Sequence, residues 1–80
     1  MNLKISPSDI KTLIEGHSEQ DTERIIFEEP AELIQAFSKF KRYGNGELLE
    51  NLYQLETEIV DVYIVLEMIK TICGISNERV

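Results

Sequence analysis

The chain has 80 residues, of which 15 are acidic and 8 are basic, and its formal net charge is −7 at pH 7. A chain of this length forms at most one domain with a thin core, so residues 1–80 are interpreted as a single domain. The acidity excludes a nucleic-acid-binding domain, which would carry a basic stripe. Because the sequence contains no apolar run of membrane-spanning length and no secretion signal, we expect a cytoplasmic protein that does not contact membranes.

A short first helix is predicted from the residues that would cap it. Ser6 is a good N-cap, Pro7 suits the first helical position, and Asp9 follows the cap by three residues. The helix would end near Gly16, and His17 would be a surface residue of the loop that follows. The apolar face of this helix would consist of Ile10, Leu13 and Ile14.

Ser18 and Asp21 repeat the capping pattern and predict a second helix that extends to Tyr43. Pro30 falls inside this helix. Because apolar residues continue at helical spacing on both sides of Pro30, we expect one continuous helix, kinked at the proline, with Glu29 still on the packing side. The apolar positions of the second helix are Ile25, Ile26, Leu33, Ala36, Phe37 and Phe40.

A tight turn at residues 44–46 separates the second helix from a long third one, which should extend from about Glu47 to Cys73 and end at Gly74. Two long helices joined by a short turn are antiparallel neighbours, so the fold is predicted to be all-α. The single cysteine, Cys73, is expected to be a small core residue. The core face of the third helix is predicted to comprise Leu55, Glu58, Val62, Val65, Ile69 and Ile72.

The third helix also carries apolar residues away from this core face, namely Val60, Tyr63 and Ile64. A helix that is apolar nearly all round needs a partner on its second side. We therefore expect a homo-oligomer, a dimer or a tetramer, in which the two long helices complete a four-helix type of bundle.

Four acidic residues are predicted to converge between the two long helices. Glu29 and Glu32 line the edge of the packing face of the second helix, while Glu58 and Asp61 lie on or beside the core face of the third. Glu32 and Glu58 are each about 13 residues from Asn45, so both should be roughly 20 Å from the turn. Glu29 and Asp61, three residues farther, should also meet. The acids Glu56 and Glu67 lie on the opposite side and should be solvated.

Four carboxylates in a partly apolar groove would repel one another and raise each other's pKa. Mg²⁺ or Mn²⁺ would relieve this repulsion, because hard cations bind carboxylate oxygens and retain waters for a phosphate substrate. The sequence has neither a Cys/His cluster for zinc nor the Glu-x-x-His pairs of a di-iron bundle. The alternative is that these acids are rim residues, paired with Lys39, Lys41 or Arg42 across the bundle.

The acids follow a recognisable pattern. Residues 28–32, EEPAE, are followed after 25 residues by residues 58–61, EIVD. This arrangement resembles the EExxE…ExxD motif of the MazG-like nucleoside triphosphate pyrophosphohydrolases, which belong to the all-α NTP pyrophosphatase superfamily. The resemblance covers roughly residues 18–75 and includes the flanking segments AELIQAFSKFKR and EIVDVYIVLEMIKTICGIS.

The resemblance implies Mg²⁺-dependent cleavage of a nucleoside triphosphate between its α- and β-phosphates, which yields a nucleoside monophosphate and pyrophosphate. Glu28 would be a neighbour of the metal site and the base for the attacking water. The basic residues would bind substrate phosphate or simply complement the dipole at the end of the second helix. By motif position, the metal ligands would be Glu29, Glu32, Glu58 and Asp61, and the basic residues are Lys39, Lys41 and Arg42.

Two other functions stay open at this point. A phosphoribosyl-ATP pyrophosphatase belongs to the same superfamily and would differ in substrate. A catalytically silent helical module would keep the oligomer interface and use the acids as rim charges or as an ion-dependent staple. Nucleotide binding in the presence of Mg²⁺ separates the enzymes from the silent module.

Overall fold

The computed structural model describes residues 5–43 and 48–76, and these residues form three helices without a strand. The helices are α1 (Pro7–Glu15), α2 (Glu19–Tyr43) and α3 (Leu48–Cys73). The predicted all-α fold with one short and two long helices is therefore confirmed. The predicted turn at residues 44–46 and the predicted start of α3 at Glu47 lie outside the described residues.

The caps of α1 and α2 form as the sequence predicts. The Asp9 backbone N–H donates to Ser6 Oγ at 3.1 Å, and Ser6 has the extended backbone of an N-cap. Likewise, the Asp21 backbone N–H donates to Ser18 Oγ at 3.1 Å at the start of α2. Each serine satisfies one of the backbone donors that a helix start leaves without an intrahelical partner, which fixes where the helix begins.

Helix α2 continues without a break through Pro30. Because proline has no backbone N–H, the Ile26 carbonyl loses its intrahelical donor, which typically costs ~3 kcal/mol in a helix interior. The predicted continuity is confirmed, and Glu29 remains a helical residue rather than an N-cap. The spacing between Glu29 and Glu32 is consequently that of one helical turn.

Gly74 ends α3 with a backbone φ of 68°, the left-handed conformation that glycine adopts without strain. The Ile75 N–H donates to the Lys70 carbonyl at 2.8 Å, and the Gly74 N–H donates to the Thr71 carbonyl at 3.3 Å. This pair of bonds is the Schellman motif, which satisfies carbonyls that the helix end would otherwise leave unpaired. The predicted role of Gly74 is confirmed.

The main packing contact joins α2 and α3, and α1 rests on α3. Ile26 near the start of α2 and Ile72 near the end of α3 line one cavity, whereas Ala36 and Gln54 line another. The two long helices are therefore antiparallel. The fully buried apolar residues are few, as expected for a chain of this size; they are Ile10, Ala36, Val65 and Met68.

The observed core of α3 includes predicted Val65 but differs from the prediction at several other residues. Asn51 and Met68 are buried although neither was predicted in the core, whereas Ile72 is 53% exposed. Cys73 is also exposed, so its assignment to the core was wrong. Ile72 is seven residues after Val65 and lies on the same side of α3, so the exposure of Ile72 and of Cys73 is that of the last turn of the helix.

A stripe of apolar residues on α3 stays exposed, and we call it the outer stripe. Its most exposed members are Leu52, Ile59 and Leu66, which recur every seven residues. Half-buried Leu55 and Val62 lie between them, as in the a and d positions of a coiled coil. The second apolar side was predicted elsewhere, at Val60, Tyr63 and Ile64; these three residues are half-buried.

Tyr63 is not a free residue of a second face, because it lines a cavity with Ile10 and other residues of the α1 region. Ile64 lines a depression together with Ile25 of α2. The short N-terminal helix thus shields part of α3. On α2, the predicted packing residue Phe37 is 53% exposed, and Leu13 of α1 is also partly exposed.

Candidate metal centre

Three carboxylates meet between α2 and α3. One oxygen atom each from Glu29, Glu32 and Glu58 lies within 4.8 Å of the other two. Glu29 and Glu58 are half-buried, and Glu32 is exposed. The sequence register placed Glu32 and Glu58 at the same height, and the structure brings these two carboxylates together with Glu29.

The helices hold this geometry through simple periodicity. Glu29 and Glu32 are three residues apart and share one side of α2, because a helix turns by about 100° per residue. Glu58 lies on the contact sector of α3, seven residues after buried Asn51 and seven before buried Val65. The packing that buries these two neighbours therefore also directs Glu58 towards α2.

Asp61 flanks this cluster without being one of its three members. It is half-buried and lines, with Glu29, a depression of about 130 Å³ whose other walls are apolar. The structure thus brings Asp61 to the Glu29 side, as the register predicts. Glu28 is exposed and is not part of the three-carboxylate cluster, because the next residue along α2 points about 100° away.

The environment of the cluster disfavours negative charge. Burial, followed by the negative charges of Glu32, Asp61 and Glu58, raises the pKa of Glu29 from 4.5 to about 7. Burial also raises the pKa of Glu58, followed by the charges of Glu32 and Asp61. Without a counter-charge, the cluster therefore retains a proton close to neutral pH.

Two oxygen atoms of the cluster have no hydrogen-bond partner within residues 5–43 and 48–76. Glu29 Oε2 and Glu58 Oε2 are both buried and unpaired. A buried, unsatisfied carboxylate oxygen costs more than a neutral polar atom in the same place. At these two oxygen atoms the structure has no hydrogen bond from a basic side chain of the described residues. A bound cation or a proton would supply the missing interaction.

The acids predicted to be solvated behave differently from each other. Glu56 is exposed, as expected. Glu67 is not, because its carboxylate accepts from Lys70 Nζ at 3.1 Å and only 26% of its side chain is accessible. Glu67 lines a cavity with Ile10 of α1, whereas Glu56 lines a separate depression of α3 with Tyr53 and Val60, and neither belongs to the three-carboxylate cluster. The prediction for Glu67 was wrong because α1 covers that side of the helix.

A polar groove of about 530 Å³ extends from the cluster along α2 and α3. Lys39 lines this groove, whereas Lys41 and Arg42 are exposed residues of the last turn of α2 outside its lining. The structure therefore separates the three basic residues that the sequence could not distinguish. The groove is lined by Glu32, Gln35, Ala36, Lys39, Gln54 and Glu58.

Sequence reasoning missed Gln35 and Gln54, although a signal was present. Gln35 follows Glu32 by three residues and Gln54 precedes Glu58 by four, so each lies one turn from a cluster acid on the same side of its helix. It also missed two buried polar residues, Thr22 and Asn51, whose Oγ1 and Nδ2 atoms have no hydrogen-bond partner in the part of the chain that the structure describes. Asn51 shares the seven-residue spacing of Glu58 and Val65, which would have placed it in the interface.

No protein-family model, curated protein or solved structure matches this chain. The resemblance to the MazG-like enzymes therefore depends on the acidic motif and its helical context. Among the residues that the structure describes, no helix is long and apolar enough to cross a membrane.

Proposed function

We propose that the protein is a Mg²⁺-dependent nucleotide pyrophosphohydrolase that converts a (d)NTP and water into a (d)NMP and pyrophosphate. One observation carries the proposal: carboxylates from two antiparallel helices converge within 4.8 Å at the positions of the EExxE…ExxD pattern. Acidic clusters also occur without ions, so the pattern and the electrostatics are needed together. A role in cleaning the cytoplasmic nucleotide pool fits such an activity.

The donor set fits a hard divalent cation. Glu29, Glu32 and Glu58 would hold Mg²⁺ or Mn²⁺, with Asp61 as the fourth ligand, because these ions prefer carboxylate oxygens. The two unpaired, buried oxygen atoms and the raised pKa values of Glu29 and Glu58 are what a missing positive charge would produce. When bound, the metal would neutralise phosphate charge and lower the pKa of a bound water.

The residues of the chain divide the remaining work by position. Glu28 is exposed beside the cluster and is proposed as the metal-site neighbour that accepts a proton from the attacking water. Lys39 in the polar groove is proposed to bind substrate phosphate. Lys41 and Arg42 lie in the last turn of α2, where cations complement the helix dipole, and they are not needed for this assignment.

A second copy of this chain is the proposed partner. The outer stripe exposes Leu52, Ile59 and Leu66 at heptad spacing, which is the pattern by which helices pair through knobs and holes. An exposed apolar stripe of this length on a small chain typically marks an interface. A homodimer would bring two α2–α3 pairs together as a four-helix bundle, and a tetramer would pair such dimers.

The enzymatic proposal is tested by incubating the protein with each (d)NTP and measuring pyrophosphate, with Mg²⁺ and with excess chelator. We expect pyrophosphate and the monophosphate in equal amounts, only when Mg²⁺ is present. Release of inorganic phosphate instead, or turnover that persists in chelator, would contradict the proposal. Phosphoribosyl-ATP is included as a substrate, since preference for it would identify the second enzyme of the same superfamily.

The competing function is a silent oligomerisation module, and the outer stripe favours it as much as it favours an enzyme. Thermal unfolding separates the two. An enzyme should gain stability from Mg²⁺ together with a non-hydrolysable nucleotide, because a ligand that binds only the folded state raises its stability. The melting temperature of a silent module would be the same with and without the nucleotide.

A further inference from the structure

The three-carboxylate cluster lies between two cavities of opposite character. Towards the start of α2 is the depression of about 130 Å³, which Glu29 and Asp61 share with the apolar side chains of Ile25, Ile64 and Val65. Towards the end of α2 is the polar groove of about 530 Å³. Both cavities include acids of the cluster, so a ligand bound at the cluster can enter either.

The polar groove is suited to anionic oxygen atoms. Lys39 is its cation, and the amides of Gln35 and Gln54 supply N–H donors from the two facing helices. Lys39 is seven residues from Glu32, which places its Cα about 10 Å farther along α2. A cation at that position cannot replace the metal, but it can contact a charged group that extends from the metal into the groove.

The depression is suited to a weakly charged, apolar group. Ile64 is three residues after Asp61, and Ile25 is four residues before Glu29, so an apolar wall begins one helical turn from the acids on both helices. Each cavity is lined by two carboxylates, but only the groove also has a cation, Lys39, so repulsion of phosphate is not offset within the depression. A planar base or a sugar would instead bury apolar area against these isoleucines.

We infer that the substrate lies along the helix pair in one direction, with its β- and γ-phosphates in the polar groove beside Lys39 and its nucleoside end against Ile25 and Ile64. This inference depends on the proposed function, because it takes a nucleoside triphosphate as the ligand of the acidic cluster. It adds the direction of that ligand and names Lys39, Gln35 and Gln54 as residues that recognise the leaving pyrophosphate.

The test measures binding by calorimetry with Mg²⁺ present and uses three probes. The first is the α,β-methylene analogue of the deoxynucleoside triphosphate that the wild type binds most tightly. The second is the matching monophosphate, which lacks the distal phosphates. The third is inorganic tripolyphosphate, which lacks the nucleoside.

Lys39→Gln should weaken the triphosphate analogue and tripolyphosphate by about tenfold and leave the monophosphate unchanged, because a charge-assisted contact to a distal phosphate is lost. Lys41→Gln is the matched control, since it removes the same charge from an exposed position outside the groove. It should bind all three probes as the wild type does.

Ile64→Ala should have the opposite pattern, with the triphosphate analogue and the monophosphate weakened by about tenfold and tripolyphosphate unchanged. Ile25→Ala is the second variant, in case the half-buried Ile64 is needed for folding. Ile34→Ala is the control, because Ile34 is 69% exposed and lines neither cavity. Unfolding curves recorded without ligand confirm that each variant is folded.

The outcomes distinguish failure of the proposed function from failure of the inferred substrate direction. A wild type that binds none of the three probes overturns the proposed function and the direction with it. A wild type that binds them, with Lys39→Gln weakening the monophosphate or Ile64→Ala and Ile25→Ala weakening tripolyphosphate, overturns the direction alone. Equal effects of Lys39→Gln and Lys41→Gln would mean that the groove has no special role.

Discussion

The contact between α2 and α3 differs from the outer stripe of α3 in an unusual way. Acidic residues lie in the contact between the helices, and apolar residues lie on the exposed surface. The inner contact holds Glu29 and Glu58, each with a buried oxygen atom that has no partner. The outer stripe exposes Ile59 and Leu66 to solvent. Both arrangements are unfavourable for an isolated chain. They become favourable if a cation binds inside and a second copy covers the outside.

The comparison also shows that one helix carries both features. Glu58 and Ile59 are adjacent in sequence, and the helical turn of about 100° per residue directs one inwards and the other outwards. A single helix therefore presents the proposed metal ligands to α2 and the proposed interface to a partner. A substitution on one side of α3 can therefore leave the other side intact.

The largest effect is expected from neutralising a carboxylate of the proposed metal site. Glu32→Gln and Asp61→Asn should each reduce Mg²⁺-dependent pyrophosphate release by roughly 100-fold or more, because metal-bound charge stabilisation contributes several kcal/mol to such reactions. Steady-state assays at saturating Mg²⁺ measure this. Glu56→Gln is the control, since Glu56 is an exposed acid of the same helix. Full activity in both cluster variants would refute the ligand assignment.

A charge placed on the outer stripe should change assembly and leave the acidic cluster in place. Leu66→Glu should weaken self-association by roughly 100-fold, because a carboxylate would be buried at the centre of the interface. Sedimentation velocity over a concentration series measures it. Ile34→Glu introduces the same charge at an exposed position of α2 and should not shift the series. A wild type that is monomeric at high concentration would exclude the stripe as an interface.

The acidic cluster should also make stability depend on pH. The folded state raises the pKa of Glu29 from 4.5 to about 7, so it binds the proton more tightly than the unfolded chain does. The stabilisation is complete below about pH 4.5 and is lost as pH rises through about 7. Without metal, the melting temperature should therefore be several degrees higher at pH 5 than at pH 8.

Mg²⁺ at pH 8 should recover the lost stability, and Glu29→Gln should flatten the pH dependence between pH 5 and pH 8. Glu28→Gln changes a neighbouring exposed acid and should preserve it. Thermal unfolding followed by circular dichroism at pH 5 and pH 8 measures these melting temperatures for the wild type and both variants, with Mg²⁺ and with chelator. A stability that rises over this pH range would mean that another group dominates.

The smallest effect is expected from a substitution at the end of α3, outside both the acidic cluster and the outer stripe. Gly74→Ala should lower the free energy of unfolding by about 1 kcal/mol, because an L-residue is strained at a φ of 68°. Gly16→Ala is the matched change at a φ of −77° and should cost less, although its new Cβ would lie 3.3 Å from the Thr12 carbonyl oxygen. Chemical denaturation measures both, and equal losses would contradict the strain argument.

The sequence predicted the features that depend on local chemistry. Ser6, Ser18 and Gly74 determine helix ends through hydrogen bonds to their own backbone neighbourhood, so the pattern was sufficient. The convergence of Glu32 and Glu58 was also predictable, since equal distances from a turn give equal heights in an antiparallel pair. These inferences need only the rise and rotation of a helix.

The sequence did not predict every buried and exposed position of α3. Because this helix is apolar on most sides, hydrophobic periodicity alone did not show that Met68 faces inwards while Ile72 and Cys73 are exposed. The partial burial of Glu67 depends on the packing of α1 against α3, a tertiary contact that the helical pattern of α3 does not contain. The relative positions of Glu29, Glu32 and Glu58 were more predictable than the core, because acids in an apolar stripe are distinctive and the apolar residues are interchangeable.

Pro30 has a consequence for the motions of α2. With one backbone hydrogen bond missing, the segments before and after the proline are joined less firmly than in an uninterrupted helix. Glu29 and Glu32 lie on opposite sides of this weak point. An ion held by both would connect the two segments, so we expect amide hydrogen exchange near Leu33 and Ile34 to slow when Mg²⁺ is added. The proline would thereby make the stiffness of the helix depend on its ligand.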